Sequence, residues 1–296
     1  MNRGLFYAIA AYSLWGLLPL YWKALQSVPA TQIVAHRMVW SLVFLGVLLA
    51  LRRRWAWLPA AMSQPRTLLL VFLSGCILAV NWLTYVWAVN SGYVVETSLG
   101  YFINPLLSVF LGVIFLRERL RVAQWLAIGL ALLGVLYLTV AYGSFPWIAL
   151  TLALTFGLYG LLKKVTALGA LEGLSLETAL LFGPALAYLL WLEWQGRGAF
   201  GHTGGHTGLL LALTGVATGL PLLLFGAAAR RIPLSLVGIL QYIAPTLQFL
   251  LGVFLYHEPF TASRLVGFSL IWAALVLYTV EGLATHRRRA FGKAAG

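Results

Sequence analysis

Residues 98–120, SLGYFINPLLSVFLGVIFLRERL, return 140 positions later as residues 238–260, GILQYIAPTLQFLLGVFLYHEPF. Pro105 meets Pro245, Ile103 meets Ile243, Gly112 meets Gly252, Val113 meets Val253 and Glu118 meets Glu258. Upstream, the same register pairs Gly75 with Gly215, Leu83 with Leu223 and Ala88 with Ala228. At an offset of 141 the match continues more weakly, with Trp15 facing Phe156, Gly16 facing Gly157, Lys23 facing Lys164 and His36 facing Glu177. The chain is a duplication, so whatever architecture one half adopts the other must adopt as well.

The solvent of both halves follows from composition. The chain is 61% hydrophobic and 9% charged, which a water-facing surface cannot carry. An integral membrane protein is expected, with helices of ~20 apolar residues crossing about 30 Å of hydrocarbon. Runs such as ALLGVLYLTV do not alternate apolar and polar residues, which excludes a β-barrel. The net charge of +13 would suggest nucleic acid in a soluble protein. Here the basic residues gather in short loops, and membrane topology accounts for them without nucleic acid. Cys76 is the lone cysteine and lies in an apolar segment, so neither a disulfide framework nor a cysteine metal site is available. The segment from Gly4 to Tyr21 is long for a signal-peptide core and reads as a retained first helix.

Windows of about 19 residues predict ten spans near 4–22, 31–51, 67–89, 95–116, 122–140, 145–162, 174–193, 208–229, 233–255 and 263–283. With the N-terminus cytoplasmic, sixteen basic residues fall on the inner side and three, Lys23, Arg197 and Arg264, on the outer. That asymmetry predicts both termini inside. Five spans per copy is an odd number, so the copies enter the membrane from opposite sides as an inverted repeat. The expected organisation is therefore an all-α membrane protein of ten transmembrane helices: residues 1–142 as the first five-helix repeat, 143–285 as the second, and 286–296 as a basic cytoplasmic tail. The stretch 194–207, WQGRGAFGHTGGHT, reads as a mobile outer loop. His202 and His206 within it are too few ligands for a metal site, and no metal is expected.

The polar inventory excludes much chemistry. There is no aspartate and there are seven glutamates, so neither an aspartyl intramembrane protease nor an aspartate-rich magnesium site can be built. No cofactor is expected, and a G-x-x-x-x-G-K phosphate loop is absent, so any transport must run on a gradient. Polar groups inside lipid carry a functional hypothesis by default. His36 and Arg37 fall in the outer half of the second span, with Glu96 at a similar depth. An Arg37–Glu96 pair would serve either as a structural tie or as an outer gate. Glu177 begins the seventh span, where it either caps the helix or lines an inner pathway. A titratable His36 and Glu177 would permit proton coupling, although nothing in the sequence requires it.

Asn81, Trp82 and Tyr85, then Tyr101 and Asn104, place aromatic and amide groups at mid-span, and Gln241, Tyr242 and Gln248 stand at or beside the matching positions of the second copy. These groups either tie neighbouring helices together or, with Trp15, surround a shared central cavity for substrate. Pro105 and Pro245 each remove one backbone hydrogen bond mid-span and are candidate hinges. The Gly215–Gly219 spacing predicts tight packing inside a bundle.

The strings HRMVWS (36–41), NWLTYVWAVNSG (81–92), ETSLGYFINPLLSVFLGVIFLRERL (96–120), ETALLFGPALAYL (177–189) and GILQYIAPTLQFLLGVFLYHEP (238–259) resemble the RarD branch of the EamA transporters, within the drug/metabolite transporter superfamily. The resemblance covers nearly the whole chain. It implies the ten-helix inverted-repeat fold of that superfamily in the bacterial inner membrane. It also implies a permease, presumed an exporter, of small amphipathic metabolites, amino acids or drugs such as chloramphenicol. A non-enzymatic secondary transporter working by alternating access is the expectation. A passive channel and a non-transporting membrane interaction protein stand as alternatives.

Overall fold

A computed structural model describes residues 3–52, 55–91, 93–143, 145–255 and 262–294, without the side chains of residues 86, 89, 90, 94–96, 98, 142, 249, 252, 253, 262–264 and 282–294. Its elements are α1 (Arg3–Ala24), α2 (Ala30–Leu51), α3 (Trp57–Met62), α4 (Pro65–Asn90), α5 (Val94–Leu116), α6 (Val122–Tyr142), α7 (Trp147–Val165), α8 (Ala170–Trp194), α9 (Gly205–Ala229), α10 (Leu234–Leu240), α11 (Ile243–Leu250), a π-helical turn (Leu251–Leu255) and α12 (Ala262–Ala294). Among the described residues, eight helices are long and apolar enough to cross a membrane, and two shorter apolar stretches, Leu234–Gln248 and Leu265–Glu281, join them. Helices suit this medium because every mid-segment N–H and C=O is bonded within its own segment. The bundle's outside is apolar too: Leu51, Val122 and Val140 are each more than 70% exposed. Inside and outside differ here in packing rather than in hydrophobicity.

α6 packs chiefly on α12, α5 lies between α7 and α10, and α4 contacts α7 and α8. On the other side, α2 contacts α8 and α9, and α1 contacts α9 and α11. Small residues set the closest approaches. A Cβ on Gly215 would stand 2.3 Å from the backbone of Trp40, and one on Gly219 would meet Phe44, so this glycine pair seats α9 on α2 within the bundle. Gly16 of α1 lies against Leu247 of α11, and Gly157 of α7 against Leu107 and Leu111 of α5.

One end of the bundle is tied by charged groups. The carboxylate of Glu118 accepts from the backbone N–H groups of Leu234 (2.6 Å) and Ser235 (2.9 Å) and from the Ser235 hydroxyl (2.6 Å), capping α10. Arg117 reaches φ 53°, which ends α5 and turns Glu118 towards that cap. Lys164 donates to the carbonyls of Ala229 (3.1 Å) and Ile232 (2.6 Å), and Arg230 to that of Thr166 (2.8 Å). Cations thereby meet the free carbonyls where α9 and α7 end. This basic end gathers the start of α1, the ends of α5, α7 and α9 and the start of α10.

At the far end, the 194–207 segment is tied down rather than loose. Gln32 donates to the Arg197 carbonyl and accepts from the Ala199 N–H, both at 2.9 Å, and Phe200 packs on His36 and Trp40. Its glycines permit the turns, and a buried glutamine on α2 holds them in place.

The ninth predicted span is broken. Pro245 has no N–H to give the Gln241 carbonyl, which instead accepts from Ala244 at 3.1 Å, and α10 and α11 part at Gln241 and Tyr242. Its repeat mate Pro105 lies inside the continuous helix α5.

Candidate functional site

Between the helices lies a cavity of about 190 Å³. α1 contributes Tyr12, Trp15, Pro19 and Trp22 at helical spacing, and α2 contributes Arg37. α4 adds Asn81, Trp82 and Tyr85; α5 adds Gly100, Tyr101 and Asn104. Leu152 and Phe156 of α7, Thr218 and Leu222 of α9, Gln241 at the helix break, and Ala244, Pro245 and Gln248 of α11 close the ring. The wall is largely aromatic and carries a few convergent polar groups, the usual constitution of a small-molecule site.

Arg37 is held in a fixed plane. Its guanidinium carbon lies 5.0 Å from the Trp22 ring centroid and 5.1 Å from that of Trp82, and its Nε donates to Thr218 Oγ1 at 2.9 Å. Each Trp face stabilises such a cation by about 0.5–2 kcal/mol, more as water is excluded. The rings of Tyr85 and Tyr101 meet edge to face with centroids 6.2 Å apart, within electrostatic reach of Arg37. Among the described residues no carboxylate pairs with Arg37. The Glu96 side chain lies outside the described residues, and so does the expected Arg37–Glu96 pair.

The amides divide into two kinds. Asn104 is 3% exposed and spent on structure, since its Nδ2 donates to the Ala153 carbonyl (3.3 Å) and its Oδ1 accepts from Ser108 (3.3 Å). Asn81 gives its Nδ2 protons to Leu152 O (3.0 Å) and Thr155 Oγ1 (2.8 Å), leaving Oδ1 for the cavity it lines. Gln248 donates to the Trp15 carbonyl at 3.2 Å across α1 and α11.

Towards the basic end the cavity stops at an aromatic plug. Tyr12, Trp15, Phe156, Tyr159 and Phe225 lie with ring centroids 5.2–6.3 Å apart. Beneath it, Lys163 Nζ meets Glu177 at 2.7 Å, with the two side chains 6% and 3% exposed, and the Tyr159 hydroxyl donates to Glu177 at 3.3 Å. A void of about 10 Å³, on the order of one water, touches Glu177 and Thr178 and shares Trp82, Thr218 and Leu222 with the cavity above.

Of the residues expected to bind substrate, Trp15, Asn81, Trp82, Tyr85, Tyr101, Asn104, Gln241 and Gln248 all line this one cavity. Tyr242 does not. At the helix break its ring turns towards α5, fully buried, and its hydroxyl donates to the Phe102 carbonyl at 3.1 Å. His36 also points elsewhere, packing 5.5 Å from the Phe200 ring with Nδ1 buried and unbonded. Glu177 lies beyond the plug rather than at an open helix start, and Pro105 is off the cavity.

The reading by residue type missed Tyr12, Trp22, Phe156 and Thr218, which look like ordinary core in an apolar chain. It also missed Lys163, which stands just past the sixth predicted span of 145–162. α7 runs to Val165, so Lys163 is inside a helix, fourteen residues from Glu177 and able to reach it.

A family model described as the EamA-like transporter family matches residues 2–140. The chain is 52% identical to Protein RarD of Streptomyces exfoliatus over 97% of this chain and 91% of that one. It is 48% identical to the uncharacterized transporter YojE of Bacillus subtilis (strain 168) over 94% of each. A crystal structure of another protein, 21% identical, superposes with a TM-score of 0.71 over 94% of this chain and 98% of that one, and so shares its fold.

Proposed function

The chain belongs to the EamA-like transporter family, in its RarD-type branch, and from that premise we propose that it is a secondary active transporter working by alternating access. It is a multi-pass membrane transporter of the drug/metabolite superfamily, by the names its relatives carry and by its apolar helices. Within that class we place it as a permease of a bacterial inner membrane with both termini cytoplasmic. It exports small amphipathic metabolites or drugs through the aromatic cavity.

One observation carries it. Positions equated by the sequence repeat meet in the same cavity: Trp15 with Phe156, Trp82 with Leu222, Tyr101 with Gln241 and Asn104 with Ala244. Residues related by a twofold axis come together only near that axis, so a cavity lined by such mates supports two inverted five-helix repeats enclosing a single site. The helix contacts support it as well. α1 on α9 corresponds to α7 on α4, α1 on α11 to α7 on α5, and α2 on α9 to α8 on α4, while α2–α8, α5–α10 and α6–α12 correspond to themselves. Gly16 on Leu247 likewise corresponds to Gly157 on Leu107.

In this reading the protein rests with its basic, cytoplasmic end shut by the plug and the Lys163–Glu177 pair. Substrate enters or leaves past Arg37 at the other end, and α10–α11 bends at its break as the halves rock. Solute flux in proteoliposomes against a metabolite panel, with and without a pH gradient, tests it. Saturable flux lost on replacing Asn81, Tyr101 or Gln241 by alanine is expected, and no flux above empty liposomes for any solute would remove the transporter reading.

A further inference from the structure

We infer that the cavity is selective for small organic monoanions, a carboxylate on an aromatic or branched apolar body, over the zwitterionic and neutral forms of the same skeleton. The inference rests on the proposal that this cavity is the transport site.

Its charge inventory comes first. Among the described lining side chains Arg37 holds the one formal charge. The Trp22 and Trp82 faces and the Nε bond to Thr218 fix the guanidinium plane and use one of its five N–H donors. The other four, on the two Nη atoms, meet no acceptor among the described residues. A rigid planar edge of paired donors matches a carboxylate bidentately, and a neutral alcohol in its place would leave most of those donors desolvated without a partner. An ammonium group would need an anion that the described wall does not offer, and beside Arg37 it would meet a like charge where little water screens it.

The opposite end supplies a second mark. Tyr12 is fully buried, lines the cavity, and its hydroxyl meets no hydrogen-bond partner among the described residues. It lies ten residues from Trp22 along α1, about 15 Å by helical rise. A ligand anchored at Arg37 therefore runs past Trp82, Trp15 and Phe156 and reaches Tyr12 with a polar far end.

Binding of three probes that share one skeleton, 3-phenylpropanoate, phenylalanine and 3-phenylpropanol, to the purified full chain tests the inference, with tryptophan quenching as the readout. The carboxylate is expected to bind on the order of tenfold or more tighter than the other two, as a charge-assisted bond allows. Arg37→Gln should erase that ratio while leaving alcohol binding, and Arg37→Lys should restore part of it. A 4-hydroxy group on 3-phenylpropanoate should add affinity in the parent and none in Tyr12→Phe.

Equal binding of all three probes, or an unchanged ratio in Arg37→Gln, would overturn the inference. So would an anion preference that arises only in Glu96→Gln, because Arg37 would then be neutralised in the parent. If neutral amides are carried in proteoliposomes and the anion is not, the inference falls and the transporter reading stands. If no solute is carried, the transporter reading fails instead.

Discussion

Replacing Lys163 by methionine strands the Glu177 carboxylate in a site only 3% exposed, with the Tyr159 hydroxyl as its remaining donor. Removing one partner of a buried ion pair costs roughly 3–5 kcal/mol, whereas replacing both by apolar groups of similar volume is near neutral. Lys163→Met and Glu177→Gln alone should each lower thermal stability in detergent clearly, and the Lys163→Met/Glu177→Leu pair should recover most of the loss. A double variant that loses as much as the two single variants added together would mean the two groups are not one unit. Gly215 gives a steric counterpart. Gly215→Ala puts a methyl 2.3 Å from the Trp40 backbone and should abolish folded, monodisperse protein, while Gly129→Ala, with nothing within 4 Å, should be silent by size-exclusion chromatography.

Helices are where sequence and structure can be compared most directly. The first eight predicted spans fall on helices long and apolar enough to cross a membrane, because twenty apolar residues in lipid have no alternative to helix, and the ninth and tenth fall on shorter apolar helices among the described residues. The cavity wall was legible in part for a related reason. Asn81, Tyr85, Tyr101 and Gln241 are conspicuous in a segment where polar atoms are costly. Trp22 and Phe156 have nothing to distinguish them from core, and the side to which Tyr242 turns depends on a break that no residue-type pattern encodes. Both prolines are candidate hinges and each lacks an N–H, yet the helix parts only beside Pro245, between α10 and α11, while α5 runs on through Pro105. Pro245→Ala returns the missing N–H to the Gln241 carbonyl and should stiffen that helix, slowing flux severalfold with binding retained. Pro105→Ala, in the continuous α5, should slow it less. Equal effects on flux would remove the asymmetry between the two hinges.

For the molecule as a whole, the proposed alternating access requires the plugged end to open during a cycle. In the inverted repeat proposed above, two halves exchanged by a twofold axis can adopt each other's conformation, which would make the geometries of the closed basic end and of the end at Arg37 interchangeable. The opening is then a swap of two arrangements of nearly equal energy, which a bound solute tips by its differential affinity. Single cysteines in a Cys76→Ser background make this measurable, Cys76 itself being exposed. An impermeant maleimide should reach Arg197→Cys from outside intact cells and Arg230→Cys only in inverted vesicles. Phe225, 2% exposed in the plug, reports the cycle. In inverted vesicles, Phe225→Cys should label slowly at rest and several times faster once a transported solute is present, with Arg230→Cys unchanged. Labelling of Arg197→Cys and Arg230→Cys from the same side would undo the inverted topology. A Phe225→Cys rate indifferent to every transported solute would mean that the solute passes without the plug opening, and a fixed pore would then account for the flux better than alternation.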